Sequence, residues 1–182
     1  GYEDLFGGYN EADLHRGQIE KMLRLTVYRD FSKLYRFANV EQRKFLALYF
    51  KRYEVSVIKE CLNTVFDHRD VVLNLSIFDE FFNKHSQLDI NLLASSRTIE
   101  ELIANLKGTE YYAPLSQLAD IERPTLFDYE MTLDLYYFAQ MWKDRSKVVT
   151  KRDLEELTAA WGSKFDMLNL QFISCLLYTS PS

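Results

Sequence analysis

The chain has 182 residues, 47% of them apolar, enough to fill the core of one ordinary domain or of parts of two smaller ones. With 27 Asp plus Glu against 22 Lys plus Arg, the net charge of -5 argues against a general nucleic-acid binder and suits basic partners better. The longest unbroken apolar run is the six residues from Phe45 to Phe50, against about 20 for a membrane-spanning helix, so no segment is expected to cross a bilayer.

Gly and Pro are scarce, at six and three, and apolar residues recur at three- and four-residue spacing. The expectation is an all-α chain with almost no support for strands. A first long helix is expected over about residues 13–37, burying a stripe of Ile19, Leu23, Val27, Phe31, Leu34 and Ala38, with Arg29, Lys33 and Arg36 as a solvated basic row on the other face. Asn39 with Gln42 offers an N-cap for a second helix to about Phe66, with Leu46, Phe50, Tyr53, Val57, Cys61 and Val65 on one side. The short link between the two implies an antiparallel hairpin.

From 67 to 96 the pattern breaks into short pieces and reads as a connection between two bundles, with a turn or two over 76–84 in which Asp79 completes a capping box behind Ser76. Thr98 with Glu101 starts another helix, Gly108 ends it through the left-handed conformation, and Thr109 opens a short segment through Tyr111 and Leu118. After Pro124, Thr125 with Asp128 caps a helix to about Arg145. Its one side carries Tyr129, Leu133, Tyr137 and Met141, and another carries Phe127, Met131, Leu135, Phe138 and Trp142. Two apolar faces mark a central helix. Thr150 with Asp153, then Gly162, then Ser163 with Asp166 bound two further helices, the last running through Phe165, Leu168, Leu170 and Ile173.

Glu20, Leu23 and Leu25 stand 110 positions before Glu130, Leu133 and Leu135, and Glu54 and Ile58 stand 112 before Asp166 and Leu170. Two related bundles would give this faint repeat, and so would the shared periodicity of any two amphipathic helices. The chain opens on Gly1 with no signal-peptide pattern, and its true N-terminus is expected to be missing. Residues 174–182 abandon the helical pattern and resemble translated adapter or vector sequence, a non-native tail. Cys61 and Cys175, 114 positions apart, give neither a disulfide framework nor a metal-ligand spacing, as expected in the reducing cytoplasm.

Candidate chemistry is thin. His68-Arg69-Asp70 followed by Asn74 approaches a kinase catalytic loop but is one residue short, and no glycine-rich loop or Asp-Phe-Gly accompanies it. The tripeptide reads better as a polar turn, and the alternative of a metal site from Asp67, His68 and Asp70 is weakened because adjacent residues point in different directions. Glu130 and Asp134, at i and i+4, are the best pair for a helical metal-dependent hydrolase. A di-metal bundle would also need Glu-x-x-His motifs, and the chain has none, so the pair is expected to serve structure or an interface. His15 and His85 are expected at the surface. Gly7-Gly8 reads as a flexible joint rather than a phosphate loop. No catalytic, cofactor-binding or metal residue and no cofactor is assigned. The aromatic content of 15% tilts the reading toward contacts with other proteins.

The segments LHRGQIEKMLRLTVYRDFSKLYRF, RKFLALYFKRYEVSVIKECLNTVFDHRD, SRTIEELIANLKGTEYYAPL and PTLFDYEMTLDLYYF resemble, in that order, the C subunit of bacterial and archaeal V/A-type ATPases, known as the d subunit in eukaryotic complexes. The resemblance covers about residues 13–173. It implies an all-helical, funnel-shaped protein of three related bundles, seated on the membrane rotor ring at its cytoplasmic face and receiving the foot of the central-stalk shaft. Such a protein transmits torque, binds no nucleotide, and lends no enzymatic role to Glu130, Asp134 or His68; neither nucleic acid nor a direct small-molecule ligand is expected as a partner of this chain. On this basis residues 1–73 are the remainder of a first bundle, 74–173 a second, and 174–182 the tail. A free-standing helical adaptor is the remaining alternative.

Overall fold

The computed structural model describes residues 16–67 and 73–148. Their regular elements are all helical, with no strand among them, which bears out the all-α class. His15, residues 68–72, the two helices expected after Thr150 and the tail from Ser174 with Cys175 lie outside the described residues. Two compact units divide between Asn39 and Val40.

The first unit contributes α1, Arg16–Phe37. Its basic row is exposed at Arg29, Lys33 and Arg36, with Lys33 3.4 Å from Asp30 and the Arg36 guanidinium 5.8 Å from the centre of the Phe37 ring. The expected buried stripe needs correction. Phe31 is buried, but Leu23, Val27 and Leu34 are 42%, 47% and 63% exposed, and Tyr28, outside the stripe, is buried at 3%. Helical spacing tells which side chains share a face, whereas burial depends on what the chain places against that face.

In the second unit, α2 (Val40–Phe66) lies against α7 (Leu126–Val148). The pairs Lys59 with Asp134, Asn63 with Glu130 and Phe66 with Tyr129 step up α2 while stepping down α7, so the two helices are antiparallel. Tyr129, Leu133, Tyr137 and Met141, the first expected face of α7, are all buried. The second face is split: Met131 is buried, Leu135 and Phe138 are half-buried, and Phe127 and Trp142 are partly exposed. On α2, Phe50, Val57, Cys61 and Val65 are buried as expected, while Leu46 and Tyr53 are only half-buried.

Between these long helices come a 3-10 turn (Ser76–Phe78), α3 (Asp79–His85), α4 (Ile90–Ala94), α5 (Ile99–Asn105), α6 (Tyr112–Ser116) and a second 3-10 turn (Gln117–Asp120). Residues 73–96 are more than a connection. Leu75, Phe78, Phe82 and Leu93 are at most 1% exposed, and the Phe50 ring on α2 lies 5.1 Å from Phe81 and 5.6 Å from Phe82. These short elements therefore share a core with α2, on the other side of the boundary expected at residue 73. Aromatic side chains supply enough apolar area to fix pieces too short to be stable helices alone.

Local signals explain several element ends. The Thr98 hydroxyl accepts from the Glu101 amide at 3.1 Å, and the Glu101 carboxylate accepts from the Arg97 amide at 2.8 Å. Gly108 adopts φ +88 after α5, a conformation open to glycine and costly for residues with a Cβ. Asp128 accepts from both the amide and the hydroxyl of Thr125 at 2.7 Å and opens α7. The box expected at Ser76 does not form. Its hydroxyl donates instead to Asn74 at 2.6 Å, Asp79 accepts from Asn91 at 2.8 Å, and the Asp79 amide that the box would cap already donates to the Ser76 carbonyl, closing a 3-10 turn. The working cap of α4 is Asp89, which accepts from the Leu92 amide at 2.9 Å.

Candidate functional site

The two carboxylates singled out in the sequence face α2. Glu130 accepts from the Asn63 amide group at 2.8 Å, and Asp134 accepts from Lys59 Nζ at 2.6 Å. Each acid thus holds a donor on the facing helix, and α7 fixes their common direction through i, i+4 geometry. No group of three or more His, Cys, Asp or Glu converges as a metal site among the described residues. Asp67 ends α2 as an exposed turn.

A second cluster gives no motif in the sequence. Glu54, on α2, is a carboxylate only 8% exposed. It accepts from the Ser86 hydroxyl and from the Tyr111 hydroxyl at 2.6 Å. Burial pushes its carboxyl above the usual carboxylate range, against the opposing pull of those two hydrogen bonds. Burial likewise drives the Tyr111 phenol far above the ordinary tyrosine value, with the Glu54 charge adding to it. One turn earlier on α2, Lys51 pairs with Glu110, whose other oxygen accepts from the Tyr136 hydroxyl of α7 at 2.9 Å. Burial, followed by that bond to Glu110, pushes Tyr136 up to about 12. One signal does point to the cluster: Glu54 sits where the apolar spacing of Phe50, Val57, Ile58 and Cys61 calls for a core side chain.

His85 is not the surface residue expected. It is half-buried, its ring lying 5.5 Å from Phe50 and 5.4 Å from Phe81, and burial lowers its pKa. The Cys61 thiol is buried and raised to about 12, chiefly by burial, which keeps it protonated and poorly nucleophilic. A cleft of about 360 Å³ runs beside Lys51, Glu54, Ser86 and Glu110. Its charged groups are engaged in the pairs already named, an arrangement suited to joining helices rather than to activating a substrate.

Comparison with known proteins gives a consistent result. The family model described as ATP synthase (C/AC39) subunit matches residues 1–178, and so extends past residue 173, after which the foreign tail was expected to begin. The chain is similar to the C subunit of the A-type ATP synthase of Methanosarcina mazei, 30% identical over 152 residues, which is 80% of this chain and 39% of that protein. It is also similar to the C subunit of the A-type ATP synthase of Methanocaldococcus jannaschii, 23% identical over 158 residues, 85% of this chain and again 39% of the relative. The chain therefore spans 39% of the length of these curated relatives. No solved structure gives a significant match. With the family model matching nearly end to end, the chain belongs to the ATP synthase (C/AC39) subunit family.

Proposed function

We propose that this chain is part of a non-catalytic component of a rotary V/A-type ATPase, a connector between the central-stalk shaft and the membrane rotor ring. The observation that carries the reading is the family match over residues 1–178. The physical character of the second unit agrees with it. A torque connector needs stiff helices with engaged polar groups, and the antiparallel α2 and α7 are tied by Lys59 with Asp134 and Asn63 with Glu130. No helix among the described residues is long and apolar enough to cross a membrane; the peripheral position at the cytoplasmic face of the complex follows from the connector reading.

A metal-dependent hydrolase built on Glu130 and Asp134 fits less well, because both carboxylates already accept from donors on α2. The test is complementation. A full-length connector that includes this chain, supplied to a rotary complex stripped of its own, is expected to restore ATP-driven ion transport. Transport left at the stripped level although the added protein is folded and taken up would reject the proposal. So would stoichiometric metal on the purified chain together with a hydrolytic activity that Glu130→Gln removes.

A further inference from the structure

Three segments distant in sequence meet on Glu54. One of its oxygens accepts from Ser86, in the link after α3, and the other from Tyr111, at the head of α6. The backbone on both sides is tied in as well. Ser86 Oγ accepts from the Leu88 amide at 3.0 Å, while Thr109 Oγ1 accepts from the Tyr111 amide at 3.3 Å and donates to the Leu106 carbonyl at 2.7 Å. We infer that Glu54, Ser86 and Tyr111 form a proton-operated latch, tightest when Glu54 carries a proton, that fastens α2 to the 86–88 link and to the 106–111 turn.

The charged surroundings set the direction. From α2, Lys51 lies one turn away and is engaged by Glu110. From the end of α3, His85 is held toward its neutral form by burial and then by Lys84. From the 106–111 turn come Glu110 and Tyr111, and from α7 Tyr136, which donates to Glu110. An ionised Glu54 gains from the Ser86 and Tyr111 hydroxyls and from Lys51, but it occupies a desolvated position with the like charge of Glu110 nearby, and burial outweighs the groups that favour the charge. Protonated, it keeps an acceptor for Tyr111 and turns its own hydroxyl toward Ser86. Because folding raises this carboxyl above its unfolded value, the latch's full contribution is present below the ordinary value of 4.5 and is lost as pH rises through the raised value. The cleft of about 360 Å³ along Lys51, Glu54 and Glu110 gives water, and hence the proton, a route in.

Residue-resolved hydrogen exchange on the full chain at about pH 5 and about pH 7.5, corrected for intrinsic exchange, tests this directly. The Leu88 and Tyr111 amides are expected to lose protection at the higher pH, by about tenfold for each unit by which the carboxyl pKa of the closed latch lies above about 5. The Leu133 amide, in the middle of α7, should hold steady. Glu54→Gln, which keeps an acceptor and gains a donor, should remove the pH dependence. Equal protection of Leu88 and Tyr111 at both pH values, or an undiminished loss in Glu54→Gln, overturns the latch. Should that variant fail to fold, a carbon-13 titration of the Glu54 carboxyl in the unaltered chain decides: a midpoint above 4.5 upholds the latch and one at or below it refutes it.

Discussion

Lys59 and Asp134 stand 75 positions apart in sequence and 2.6 Å apart across the antiparallel contact of α2 with α7. Their side chains are 24% and 29% exposed, so solvent and salt screen the pair considerably. A double-mutant cycle of Lys59→Ala and Asp134→Ala in urea denaturation should give a coupling of about 0.5–1 kcal/mol that shrinks in high salt. Strict additivity would mean that the ion pair contributes nothing to the α2–α7 contact.

The two capping sequences make opposite predictions although they are spelled alike. Thr98 accepts from the Glu101 amide, so Thr98→Ala should cost about 1 kcal/mol. Ser76 caps no amide and donates to an exposed Asn74, so Ser76→Ala should change stability by less than about 0.5 kcal/mol. Equal losses in equilibrium denaturation would show that the Ser76 box forms in solution.

That contrast shows how far local sequence reaches. Both ends of α5 and the start of α7 are legible because Thr98 with Glu101, Gly108 and Thr125 with Asp128 act over three or four residues. The face of α7 carrying Tyr129, Leu133, Tyr137 and Met141 is legible because all four positions meet core. Burial along α1 is not. Leu23, Val27 and Leu34 share the periodicity of Leu133 and Met141, yet they are exposed, and no local rule encodes what lies opposite a helix face. Residues 76–93 hide their importance for the converse reason: their short helices carry no periodic pattern, and their order comes from rings such as Phe82 set against Phe50. Glu54 is inconspicuous because an acid in an apolar stripe looks like an interruption until Ser86 and Tyr111, 32 and 57 positions away, are seen to meet it. Glu130 and Asp134 stand out by spacing alone, and the structure supplies the donors that explain them.

Gly108 isolates a backbone effect. An added Cβ would meet no atom within 4 Å, so only the φ of +88 opposes substitution. Gly108→Ala should cost about 1–2 kcal/mol from the left-handed conformation alone, and Gly108→Asn less, since asparagine tolerates that region. A neutral or stabilising alanine in thermal denaturation would show that the turn after α5 relaxes to negative φ.

The last prediction separates a connector from an enzyme. In a full-length connector within a rotary complex, Glu130→Gln and Asp134→Asn each remove a charge while leaving a group of similar shape that still accepts a hydrogen bond. On the proposed reading, which places that chemistry on other chains, ATP hydrolysis by the detached catalytic head should be untouched by either. Leu133 is different: it is fully buried on the face of α7 between Tyr129 and Tyr137, and Leu133→Ala should cost about 2–5 kcal/mol by loss of contacts and the cavity left behind. A loosened α7 deforms under load, so ion transport per ATP should fall while hydrolysis persists. The measurement is paired, with ATP turnover and ion transport followed on the same reconstituted complex at a temperature where the variant remains folded. A connector shows a fall in the ratio of transport to turnover for Leu133→Ala and an unchanged ratio for the two carboxylate variants. If Glu130→Gln or Asp134→Asn instead abolished turnover in the detached head, or removed a hydrolytic activity belonging to this chain alone, the carboxylates would be catalytic and the connector reading would fall.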